Sequence, residues 1–149
     1  MARLHEYQGK ALLSRAGLNV PRGKAVQSPH EARSVAAELG GEVVLKIQAW
    51  TTGRASIGGI AFAKTPDEAA AHAERLLSMN VGSFPVTHLL VEQKLSFARE
   101  LFVSLSIDDA ARCPLILLAA AGGTGIEERA RDVARVPCGV QSGPDDESL

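Results

Sequence analysis

Cysteine is rare in this chain of 149 residues: Cys113 and Cys138 are its two thiols, and they sit far apart. Two distant thiols make neither a disulfide framework nor a zinc-ligand pattern, and with no base adjacent in sequence they read as buried side chains. An excess of charge of one sign is also lacking. Sixteen Lys and Arg face 17 Asp and Glu, for a net charge of −1, so there is no overall pull toward nucleic acid or a membrane surface. Long apolar runs are missing as well, and none approaches the ~18 residues of a membrane span. The opening MARLHEYQGKALL is interrupted by polar residues and has no signal-peptide core. A cytoplasmic protein with neither nucleic acid nor membrane as partner is the expectation. His5, His30, His72 and His88 lack metal-ligand spacing, and Ser104 and Ser106 sit in no nucleophile elbow.

What remains is the composition of a folded domain, 46% apolar and 22% charged. A chain of this length buries roughly two-thirds of its unfolded surface. Helices and strands alternate along it. Leu4, Tyr7, Ala11, Leu12 and Leu13 recur at helical spacing, which predicts a short amphipathic helix over residues 4–16 that stops at Gly17. A short strand is predicted over 24–26. Ser28-Pro29-His30-Glu31 and Thr65-Pro66-Asp67-Glu68 are two helix starts of one design: a hydroxyl cap, proline at the first position and glutamate at the third. The first predicted helix ends at Gly40-Gly41 and the second near Met79. Residues 80–87 read as a loop. Strands are predicted over 88–92, 100–107 and 114–121, the last so apolar that burial on both faces is expected. A glycine loop, a short helical stretch and a polar tail follow.

The stretch around which the chain is organised is VVLKIQAWTTGRASIGGI, residues 43–60. A run of β-formers carries Lys46, a polar loop carries Gly53 and Arg54, and Gly58-Gly59 opens a second apolar run. Two strands joined by a basic, glycine-containing loop make a flap that can lie over an anion. A mid-strand lysine either serves such a site or snorkels to solvent. The other reading of these residues is an ordinary hairpin with one exposed lysine and one exposed arginine.

Taken together, the LHEYQGKALL opening, the VVLKIQ…GR…GGI block, LLVEQ…ARELFVSLSID and the later GG…IEE resemble the start of the β subunit of ADP-forming succinyl-CoA synthetase. Malate–CoA ligase and ATP-citrate lyase belong to the same group. The resemblance runs over nearly the whole chain. It implies an α/β (α+β) fold, the N-terminal lobe of an ATP-grasp protein with a mixed sheet and flanking helices over residues 1–136. Residues 137–149 would then be a disordered tail or a truncated continuation. It also implies ATP or GTP as cofactor, acyl-CoA formation from a carboxylic acid, and a place in the tricarboxylic acid cycle. An α subunit carrying a phosphohistidine would be the partner, together with the missing C-terminal half of the β subunit. Residue by residue, Lys46 would hold phosphate and Gly53-Arg54-Ala55 would form the flap loop. Glu92 and Leu95 would lie at the base end, and Glu100 would bond the ribose.

Departures from the family pattern set further expectations. Gly53-Arg54-Ala55-Ser56 stands where the family has Gly-Arg-Gly-Lys, so a Cβ enters the loop at Ala55 and a charge is lost at Ser56. Ala121 and Gly125 replace acidic residues. The family's magnesium ligands lie in the missing half, and Asp145, Asp146 and Glu147 are poor substitutes. Gly122-Gly123-Thr124-Gly125 could hold an anion at a helix N-terminus or simply turn the chain. Two readings of the whole therefore stand: a nucleotide-binding lobe that is inactive by itself, or a stand-alone interaction or regulatory module. In the first, the apolar side chains of strands 88–92, 100–107 and 114–121 would have lost their covering elements and would favour self-association, whereas a self-contained module would be monomeric.

Overall fold

The computed structural model describes residues 3–51, 53–120, 122 and 133–144. The chain divides into two compact units, Met1–Ser96 and Phe97–Leu149. The first opens with helix α1 (Glu6–Arg15) and continues through β1 (Gly23–Val26), α2 (Pro29–Leu39), β2 (Val43–Ile47) and β3 (Ile60–Ala63). Helix α3 (Pro66–Leu77) follows, then β4 (Asn80–Val81), β5 (Phe84–Pro85) and β6 (Leu89–Gln93).

Local chemistry starts α2 and α3 where the sequence places them. Ser28 Oγ accepts from the Glu31 N–H at 3.2 Å and Thr65 Oγ1 from the Glu68 N–H at 3.2 Å. Each glutamate reaches back to a preceding N–H, Glu31 to Gln27 at 2.7 Å and Glu68 to Lys64 at 2.8 Å. Four donors that would otherwise lack a helical partner are thereby satisfied. Gly40, at φ 69°, takes the left-handed turn that ends α2.

The main sheet has the order β1-β6-β2-β3, and every pairing among the described residues is antiparallel, not mixed. The reason is the insertion of β6. Helix α2 carries the chain from β1 to β2 in the same direction, but β6 runs between them in the opposite one. Register then divides the side chains between two faces. Val43, Leu45 and Ile47 of β2, Leu89 and Val91 of β6, and Ala61 and Ala63 of β3 pack with Ala32, Val35 and Ala36 of α2 and Ala69, Ala73 and Leu76 of α3. Small alanines let both helices sit close on the sheet. The opposite face carries Val44, Lys46, Leu90 and Glu92, and α1 lies on this side through polar contacts.

Helix α1 forms within the predicted residues, yet its apolar stripe is not what it buries. No residue of α1 is fully buried, and Leu12 and Leu13 are exposed. Glu6, Tyr7 and Lys10 are the residues that meet the sheet, since charges already on the sheet's second face select a polar partner. Residues 80–87, read as a loop, fold into the tight β4–β5 hairpin turned by Gly82 at φ 61°.

The second unit is an antiparallel sheet of order β10-β9-β8-β7, built from β7 (Phe102–Asp108), β8 (Cys113–Ala119), β9 (Ala134–Gly139) and β10 (Gly143–Pro144). The Asp108 carboxylate accepts from the N–H groups of Ala110 and Ala111, both at 3.0 Å, and fixes the turn into β8. Only Leu115 of β8 is buried, so the expected two-sided burial of that strand does not occur. Residues 134–144, read as the end of a helical stretch and a tail, pair as β9 and β10; Pro137 and Gly139 hide this strand from pattern reading. Cys113 and Cys138 are half-buried rather than buried. The readings placed on Ala121, on residues 123–130 (Gly125 and the IEE stretch among them), and on Asp145, Asp146 and Glu147 fall outside the described residues.

Candidate functional site

Lys46 and Glu92 meet because of sheet register. Lys46 pairs with Leu90 and Val44 with Glu92, so the two charged residues are diagonal neighbours on one face of adjacent strands. Lys46 Nζ lies 2.5 Å from Glu92 Oε1. The space for Glu92 is left by Gly23, its partner on β1: a Cβ at Gly23 would stand 2.6 Å from Glu92 Cβ and 2.5 Å from the Val91 carbonyl oxygen.

Helix α1 adds two further charges. Lys10 Nζ bonds Glu92 Oε2 and also lies 3.0 Å from Glu6 Oε1, the favourable i, i+4 order of acid before base. Glu6 Oε1 is 3.3 Å from Lys46 Nζ. Arg54 completes the group from the loop after β2. Its Nη2 stands 2.7 Å from Glu6 Oε2, while its Nη1 donates to the Ile47 carbonyl at 3.1 Å. Three cations thus share two carboxylates, for a net charge of +1. Burial pushes the Glu6 carboxyl up, but the hydrogen bond from Lys10, the charge of Lys46 and the contact with Arg54 outweigh it and hold the group at about 2, below its ordinary 4.5.

Gln48 fastens α1 beside this cluster. Its buried side chain accepts from the Tyr7 N–H at 3.2 Å and donates to the carbonyls of Lys46 and Ile47 at 3.2 and 3.3 Å. Trp50, exposed on one side, stacks on His5 with ring centres 5.1 Å apart and planes 1° from parallel. A cleft of about 430 Å³ opens here, lined by residues that include Glu6, Gln48, Trp50 and Arg54. A smaller one of about 280 Å³ is lined by residues that include Tyr7, Lys10, Gly23, Leu90 and Glu92.

Of the residues singled out in the sequence, Lys46, Arg54 and Glu92 are brought together. Gly53 takes φ 67° and accepts from Ser56 N–H at 2.9 Å and Ser56 Oγ at 2.7 Å; Ala55 does not enter the left-handed region, so its Cβ is accommodated without strain. Leu95 is exposed on the segment after β6. Glu100 belongs to the second unit, where its carbonyl accepts from the Gly122 N–H at 2.9 Å. Glu6, Lys10 and Gln48 were not foreseen as site residues. Their signal was present in the HEYQGK and KIQ stretches, but contacts across 40 to 82 residues of sequence have no local signature.

A family model described as an ATP-grasp domain matches residues 3–140. The chain belongs to the ATP-grasp family. Among its curated relatives, the β subunit of ADP-forming succinate–CoA ligase of Pyrobaculum arsenaticum is 42% identical over 129 residues, covering 87% of this chain and 34% of the relative. The β subunit of GDP-forming succinate–CoA ligase of Thermus thermophilus is 40% identical, with the same coverage. This ATP-grasp chain therefore spans about a third of the length of these relatives. Among solved structures, a dinucleotide-forming acetyl-coenzyme A synthetase of Ca. Korarchaeum cryptofilum, in complex with coenzyme A and Ca-AMPCP, superposes with a TM-score of 0.74 at 26% identity. That match covers 89% of this chain and 58% of the other.

Proposed function

We propose that this chain is the nucleotide-binding lobe of an ADP-forming acid–CoA ligase of the succinyl-CoA synthetase type, which makes acyl-CoA from a carboxylic acid, CoA and ATP or GTP. The observation that carries the reading is the convergence of Lys46 and Arg54 on one charged face of the sheet, in a chain 42% identical to a succinate–CoA ligase β subunit. In this reading Lys46 and the Gly53-Arg54-Ala55 loop hold phosphate by charge and backbone N–H groups. Glu92, Leu95 and Glu100 serve the base and ribose end. The Glu92 carboxylate is engaged by Lys46 and Lys10, so it acts first as the counter-charge that sets the Lys46 ammonium in place.

The described residues do not fit a protein-held magnesium ion. Both carboxylates of the cluster are taken by cations, and no group of three His, Cys, Asp or Glu residues among the described residues could bind one. In this reading the chain, which spans about a third of the length of its relatives, binds nucleotide without turnover by itself. The remaining β-subunit segments and an α subunit with its phosphohistidine complete the enzyme, whose setting is the cytoplasm and the tricarboxylic acid cycle.

Calorimetric titration of the chain with ATP, GTP and adenosine tests this. Lys46→Ala removes one phosphate contact, worth about 1.5–3 kcal/mol or roughly ten- to a hundredfold in affinity, and leaves Glu92 paired with Lys10 alone. ATP binding should fall by that factor while adenosine binding stays. Equal loss for both ligands, or ATP binding indifferent to Lys46, refutes the assignment.

A further inference from the structure

We propose that Glu6 is a displaceable internal anion: it holds the place of a phosphate oxygen among Lys10, Lys46 and Arg54 and gives way, with the start of α1, when an oligophosphate binds. This rests on the reading of Lys46 and Arg54 as phosphate ligands and adds Lys10 to them. The Glu6 carboxylate sits at the focus of all three cations, at 3.0, 3.3 and 2.7 Å, which is where an anionic oxygen would gain most. While it stays there, Lys46 is enclosed between two carboxylates. The 430 Å³ cleft reaches Glu6 and Arg54, and Lys46 is not part of its lining.

The two carboxylates differ in their freedom to leave. Glu92 is on a central strand, its side chain 3% exposed, and is hemmed in by β1 and β2. Glu6 is in the first turn of a helix with no fully buried residue, its side chain 21% exposed. Its Oε2 has no well-aligned hydrogen-bond donor: Arg54 Nη2 comes within 2.7 Å of it off the ideal direction, while Nη1 donates to the Ile47 carbonyl. Moving Glu6 outward also moves His5, the residue before it and the one on which Trp50 stacks. Trp50 is the single tryptophan of the chain, so its emission reports the step.

The test is a fluorescence titration of the chain with inorganic tripolyphosphate at constant ionic strength, alongside Glu6→Gln, Glu6→Ser and Lys46→Ala. Wild-type Trp50 emission should change saturably. Both Glu6 variants should begin near the saturated value and bind at least about tenfold more tightly, read by calorimetry, because the internal competitor is gone. Lys46→Ala should weaken binding in every background. If tripolyphosphate binds through Lys46 with unchanged Trp50 emission, or the Glu6 variants bind no more tightly, displacement is wrong and the phosphate reading stands. If binding is absent or indifferent to Lys46 in all variants, both are overturned.

Discussion

Glu92→Gln isolates what the buried ion pair contributes, because the amide keeps the shape of the carboxylate and removes only its charge. In the native chain one oxygen meets Lys46 and the other Lys10, with the Glu92 side chain 3% exposed and both lysine side chains 22% exposed. After the substitution an NH2 group must face one of the two ammoniums, and the net charge of the cluster rises from +1 to +2. Breaking one partner of a buried pair costs about 3–5 kcal/mol. Here Glu6 still serves both lysines and their ends reach water, so the cost should be about 2–4 kcal/mol. In a chain of this size that lowers Tm by about 5–15 °C. The control is Glu42→Gln. Glu42 meets Lys94 at 2.6 Å, nearly the same separation, but these side chains are 44% and 46% exposed. Water screens that pair, and its loss should leave Tm nearly unchanged. Thermal and urea unfolding of both variants measure the contrast. Equal shifts, or a Glu92→Gln chain within 2 °C of the wild type, would show that burial is not what gives the pair its strength.

Two further outcomes follow from the same structure. The Glu6 carboxyl is depressed from 4.5 to about 2, so its contribution to stability is complete above pH 4.5 and is lost as pH falls through about 2. That contribution is about 1–2 kcal/mol after allowance for its partial exposure, and urea midpoints between pH 6 and pH 2 should lose less in Glu6→Gln than in the wild type. Val103, Leu105 and Ile107 stand exposed along one side of β7, an edge strand without lysine or proline. Sedimentation velocity at high concentration should show a dimer or larger species that Leu105→Lys returns to monomer; a monomeric wild-type chain would refute this.

The parts legible in the sequence were those whose cause is local. Ser28 and Thr65 announce helices because a cap acts within three residues. Lys46 and Arg54 stood out from the strand–loop–strand pattern itself, whereas Glu92 joined them through a resemblance rather than through spacing. Other parts depended on tertiary context. The leucines of α1 suggested an apolar face, but the charges on the sheet's second face chose Glu6 and Lys10 instead. The strand at 134–139 was hidden by Pro137 and Gly139, residues that discourage a strand until β8 supplies the pairing. Gln48 gave no hint of its task, since the Tyr7 N–H it accepts from is 41 residues away.

Gly23 gives the site an unusual vulnerability. It bears no charge and is open to solvent, yet the place of Glu92 depends on the side chain it lacks. A mutational survey restricted to polar and ionisable positions would pass over it. One added methyl there would press on the Glu92 backbone and side chain together, and through them disturb two lysines contributed by different elements. A natural variant that loses the proposed nucleotide binding can thus carry its change at a position that no inventory of charged groups contains.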